Sequence, residues 1–191
     1  MELDFPELHA RALDATRRIV AGVGDDQWTT RVETSNTDVR TLVNHFVSEN
    51  YWVEPLLSGE SFEQVGKRYS GDVLGEDPIA SYDRSAASAA AAFRTPGALE
   101  KPCYMRASEP RILGSALCVN RFVDVLVHGW EVANATGQDT RLDPELAEAA
   151  RVGIEPDIVK LRLKGIIGDA LDVPADASSQ TTLLAFFGFK G

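Results

Sequence analysis

Apolar positions recur along this chain at helical spacing. Leu8, Ala12, Ala15 and Ile19 follow one another at steps of four, three and four, which lays one apolar stripe along a helix from about Pro6 to Ala21. Asp4 can cap its start, Pro6 suits the first turn, and Gly22 and Gly24 end it. Residues 25–36 are polar and irregular, with Trp28 as their one large anchor. Val39, Leu42, Val43, Phe46, Val47 and Val53 give a second helix a broad apolar face. It begins near Thr37 or Asp38 and ends before Gly59, and Pro55 falls where it can shorten the helix.

The stretch from Ser58 to Asp77 is rich in glycine and charge and reads as a long connection. Asp77-Pro78 then opens a third helix, which runs to about Arg94 and stops at Thr95-Pro96-Gly97. Its centre, residues 85–92, is all alanine and serine, so neighbouring helices can approach it closely on more than one side. Leu99 to Gly114 is irregular. A fourth helix spans about Ser115 to Thr136 and closes on Gly137. Asp143-Pro144 opens a fifth, ending near Lys164 with a break at Pro156. After a loop from Gly165 to Ser179, Ser178 or Ser179 caps a short final helix over Gln180–Phe187. No segment alternates for four or more residues as a strand would. The pattern predicts an all-α chain, a four-helix bundle with extra short helices, in one domain over residues 1–191.

Composition adds limits. A chain of 191 residues, 44% hydrophobic and 25% charged, can bury one full core. The net charge of −10, with no basic cluster beyond Arg17-Arg18 or Lys67-Arg68, argues against nucleic acid and anionic membranes as partners. No apolar run reaches the roughly 18 residues of a membrane span. The acidic start, Met1-Glu2-Leu3-Asp4, lacks the apolar stretch of a signal peptide, so a cytoplasmic protein is expected. Cys103 and Cys118 fit no ligand spacing and no disulfide framework; a single disulfide between them is one reading, and buried or idle thiols the other, favoured one.

The candidate chemistry lies with the histidines, His9, His45 and His128. Asp124 precedes His128 by four residues, so both side chains share one helical face a turn apart. A carboxylate oxygen and an imidazole nitrogen so placed can share a metal ion, with His45 reaching in from the second helix. The same spacing also suits a plain hydrogen-bonded pair in a core. Two histidines and one carboxylate would leave a coordination position open for water or substrate, as catalytic sites do. Zinc suits that donor set, and nickel, iron, manganese or cobalt could also fill it. Glu49, a turn after His45, and Glu131, three residues after His128, are the candidate catalytic carboxylates, for orienting a ligand or serving as general base. Arg121, three residues before Asp124, could neutralise that acid or anchor an anionic substrate but reads first as the partner of an exposed ion pair, Trp130 reads as packing, and His9 as a surface or structural residue.

Three stretches resemble a known family. Residues 39–45, Val-Arg-Thr-Leu-Val-Asn-His, look like the second-helix signature of DinB-like proteins, in the branch of the mycothiol-dependent maleylpyruvate isomerase metal-binding domain. Residues 124–137, from Asp124 through His128-Gly129-Trp130-Glu131 to Ala135-Thr136-Gly137, resemble its second signature, and Leu183-Leu184-Ala185 its closing helix. The resemblance implies a DinB-type bundle with His45, Asp124 and His128 as a metal triad, and a small-molecule substrate turned over with a thiol such as mycothiol in a transfer, isomerisation or hydrolysis. A non-catalytic metal- or ligand-binding module is the other reading, and a homodimer is implied by analogy. The sequence departs from the isomerase in having Asp124 where a Glu is expected, and in being too short for the isomerase's additional C-terminal domain.

Overall fold

The computed structural model describes residues 3–104, 111–165 and 167–190. Of the stretches read as irregular, residues 105–110 and 166 lie outside the described residues, as does the Met1-Glu2 start. Helix α1 (Phe5–Ala21) starts where expected, because the Asp4 carboxylate accepts the Glu7 N–H at 3.1 Å. Strands β1 (Arg31–Val32) and β2 (Thr37–Asp38) form a minimal antiparallel ladder. Its turn passes through Asn36 at φ 54°, a backbone region that asparagine tolerates better than most residues. Helix α2 (Val39–Leu57) is capped by Asp38, whose carboxylate accepts from the Thr41 N–H at 2.7 Å. Pro55 sits in its last turn without cutting it short.

The connection expected over Ser58–Asp77 holds a helix that hydrophobic periodicity did not reveal, α3 (Phe62–Arg68). It is set by a capping box: Ser61 Oγ accepts from the Gln64 N–H, and the Gln64 side chain accepts from the Ser61 N–H. Its two turns bury only Val65, and Gly66 lies beside the Trp52 ring.

Helix α4 (Pro78–Arg94) is capped by Asp77. A second two-residue ladder, β3 (Pro102–Cys103) with β4 (Ile112–Leu113), leads into α5 (Gly114–Thr136). Gly137 ends α5 in the left-handed conformation, φ 70°. Helix α6 (Pro144–Ile154) breaks at Pro156 as expected, through a single tight turn over Glu155–Asp157, and resumes as the short α7 (Ile158–Leu163). Helix α8 (Ser179–Phe186) is capped by Ser178.

Four long helices form the bundle. Helices α1 and α2 each pack against both α4 and α5, and α6 with α8 closes one side. Ser85 and Ala89, buried in the small-residue centre of α4, allow this approach. Phe46, Tyr82 and Phe122 fill the core, and the Tyr82 hydroxyl donates to the Leu13 carbonyl at 2.8 Å. His9 is wholly buried, edge-on to Phe93, which corrects its reading as a possible surface residue. Gly129 on α5 faces Thr16 on α1 so tightly that a Cβ there would sit 2.5 Å from Thr16 Oγ1. That hydroxyl donates to the Val125 carbonyl at 3.0 Å and ties the two helices together next to His128.

Candidate metal centre

Helix α2 carries His45 outward from its core face, and α5 presents Asp124 and His128 beside it. One ligand atom from each of the three lies within 4.8 Å of the others. Bonds of about 2.0–2.2 Å to one ion would draw such atoms closer than this, within reach of small side-chain rotations. The two imidazole rings meet edge-on, centroids 5.4 Å apart, and His128 Nε2 stands 3.7 Å from Asp124 Oδ1. Spacing along α5 supplied one pair, and the bundle brings in the third residue.

The surroundings fix how each donor is presented. His128 Nδ1 lies 2.6 Å from Glu131 Oε2. With its N–H donated there, Nε2 is left as the nitrogen free to bind a metal. Glu131 is 1% exposed, and its other oxygen accepts from the Thr34 hydroxyl at 2.5 Å. Thr34 comes from the β1–β2 turn, and no local pattern marked it as part of the site. Asp124 Oδ2 is held by the Arg121 guanidinium at 3.2 Å, which also forms an ion pair with Glu49 and hydrogen bonds to Asn120. Arg121 was expected in an exposed pair. Its side chain is in fact 12% exposed, and its charge is committed to two carboxylates of the site.

Protonation follows from this arrangement. His45 opens onto the chamber, yet desolvation by the protein packed around it is the largest influence and lowers its pKa, with Asp124 opposing. Desolvation also acts against the His128 imidazolium, but the charge of Asp124 and the hydrogen bond to Glu131 outweigh it, and the pKa rises. Burial lowers the Arg121 pKa, and Asp124 opposes that shift.

The triad forms part of the wall of a chamber of about 700 Å³, within the usual size range for small-molecule sites. Glu49 and Glu131 line it too. Apolar lining comes from α6, α7 and the C-terminal segment, through Ile154, Leu161, Phe187 and Phe189, with Val123 and Val127 from α5. Trp130 does not reach the chamber. It is buried and stacks on Phe189 at 5.9 Å, the packing role expected of it. Cys103 and Cys118 are both buried and unbridged, and burial pushes the Cys118 thiol up to about 12, so neither is a reactive thiolate. No helix among the described residues is long and apolar enough to cross a membrane.

The family model of the mycothiol maleylpyruvate isomerase N-terminal domain matches residues 9–133, which include all three triad residues, Glu49, Arg121 and Glu131. Two uncharacterized proteins, from two strains of Mycobacterium tuberculosis, are each 30% identical over 189 residues, covering 94% of this chain and 94% of the relative. No solved structure matches. The chain belongs to the mycothiol maleylpyruvate isomerase N-terminal domain family.

Proposed function

We propose that this member of the family is a metal- and thiol-dependent enzyme, in which His45, Asp124 and His128 hold one divalent ion, zinc before nickel, iron, manganese or cobalt. The observation that carries the reading is the convergence of the three side chains on a chamber wall, with Glu131 behind His128 and Arg121 behind Asp124. A set of three protein donors facing a cavity leaves a position for an exogenous ligand, which separates a catalytic site from a structural one. When bound, the ion would lower the pKa of a thiol and polarise a carbonyl.

The protein's own groups have distinct tasks. Glu131 keeps the His128 tautomer that directs Nε2 at the ion, and Thr34 holds Glu131. Arg121 fixes which oxygen Asp124 presents. Glu49, held beside Arg121 on the same wall, is the carboxylate assigned to take up the proton that the thiol gives up. The apolar wall holds the electrophilic substrate and excludes water. Mycothiol is the thiol proposed, on the family's description. A cytoplasmic homodimer completes the proposal.

The test is consumption of an electrophile by the zinc-loaded protein with and without mycothiol. Thiol-dependent turnover that chelation and His45→Ala both abolish supports the reading, and turnover indifferent to both sinks it. Glu49→Gln is expected to lose turnover while keeping the metal. The alternative, a binding module without chemistry, predicts full metal occupancy and no turnover with any thiol.

A further inference from the structure

The charges around the chamber are sorted unevenly. Glu33, Glu49, Asp124, Glu131 and Asp169 all line it. Among the described lining residues the cationic groups are Arg121, whose guanidinium already contacts Glu49 and Asp124, and the His128 imidazole, which already faces Asp124 and Glu131. Glu33 lies at the rim and pairs with the exposed Arg31. Lys160 and Lys164 face a separate cleft of about 270 Å³, which shares Asn120, Ile154 and Leu161 with the chamber. A carboxylate entering the chamber therefore meets like charge in partly desolvated surroundings and finds no uncommitted cation among the described lining residues.

The apolar lining sets the other half of the specificity. Phe187 and Phe189 stack at 6.1 Å, and Trp130 supports Phe189 from behind. With Ile154 and Leu161 they present an apolar surface suited to a ring or a branched chain. We infer that the substrate of this site is a neutral or cationic electrophile with an aromatic-sized apolar body, and that molecules carrying two carboxylates are excluded. The inference rests on reading the chamber as the substrate site. The metal can compensate one anionic group of a ligand, and a second would lie among the carboxylates or against the phenylalanines.

Three naphthalene probes of one size test this by titration calorimetry: naphthylmethylamine, naphthalenemethanol and naphthalenedicarboxylate, which are cationic, neutral and dianionic at neutral pH. In the zinc-loaded protein the amine and the alcohol should bind at least about tenfold more tightly than the dicarboxylate. Phe189→Ala should weaken all three alike, and Asp169→Asn should narrow the gap between the amine and the dicarboxylate. The same order in chelator-treated protein reads the chamber without its metal, so it is measurable even if no thiol chemistry occurs. A dicarboxylate that binds as tightly as the alcohol overturns the inference, as does a dicarboxylate complex that Lys160→Glu abolishes, or failure of both amine and alcohol to bind at millimolar concentration.

Discussion

Glu131 offers the sharpest perturbation of the centre without touching a proposed ligand. Its carboxylate is 1% exposed and bridges His128 Nδ1 at 2.6 Å and the Thr34 hydroxyl at 2.5 Å. A charge-assisted hydrogen bond of this kind contributes about 1.5–3 kcal/mol. Loss of a carboxylate that orients a metal-binding histidine lowers affinity about 10- to 100-fold, or about 1.4–2.8 kcal/mol. Glu131→Gln keeps the volume and one acceptor but loses the charge, so it should fall near the tenfold end. Glu131→Ala also frees the ring to rotate and should approach 100-fold. Thr34→Val removes only the outer hydrogen bond and should cost a few-fold. Zinc competition against a chromophoric chelator measures each affinity, and circular dichroism confirms that the variants are folded. Folded Glu131→Gln and Glu131→Ala proteins that bind zinc like the parent would refute the role given to Glu131, and with it the assignment of Nε2 as the donor.

Other consequences follow from packing and charge. Gly129→Ala places a methyl group 2.5 Å from Thr16 Oγ1, so it should lower stability by about 1–3 kcal/mol in chemical denaturation, and the double variant with Thr16→Ala should recover part of that. His9 has no hydrogen-bond partner at either ring nitrogen among the described residues, and burial lowers its pKa to about 3. The unfolded chain, with a histidine near 6.5, therefore binds the extra proton between those two values. Stability is complete above about pH 6.5 and declines as pH falls, by up to about 1.4 kcal/mol per unit. His9→Leu should flatten that decline in metal-free protein, and an unchanged pH slope would count against the neutral, buried state. Zinc must displace the proton that Asp124 and Glu131 favour on His128, so affinity should rise with pH through and above the ordinary histidine range, with proton release visible by calorimetry in buffers of different ionisation enthalpy.

Much of the bundle was legible because the long helices announce themselves. Asp4, Asp77 and Asp143 cap three of them in sequence as in space, and Gly137 and Pro156 act where their backbone limits require. Helix α3 escaped because one buried valine gives no periodicity, although Ser61 and Gln64 spelled a capping box. In the site, the four-residue step from Asp124 to His128 was local and readable. Arg121 was visible by spacing, but its burial depends on α2 packing across from it, which brings Glu49 to its guanidinium. Thr34 and Phe189 lie 155 residues apart in the chain, and only the closed bundle sets them around one chamber.

His45, Asp124 and His128 are proposed to hold one ion together. Elemental analysis of untagged protein, refolded or purified with zinc and freed of excess, tests this most directly. Close to one zinc per chain is expected, falling to near zero in His45→Ala, Asp124→Ala and His128→Ala proteins that remain helical. Less than a few per cent of any transition metal in the parent protein, or full occupancy surviving all three substitutions, would contradict this assignment.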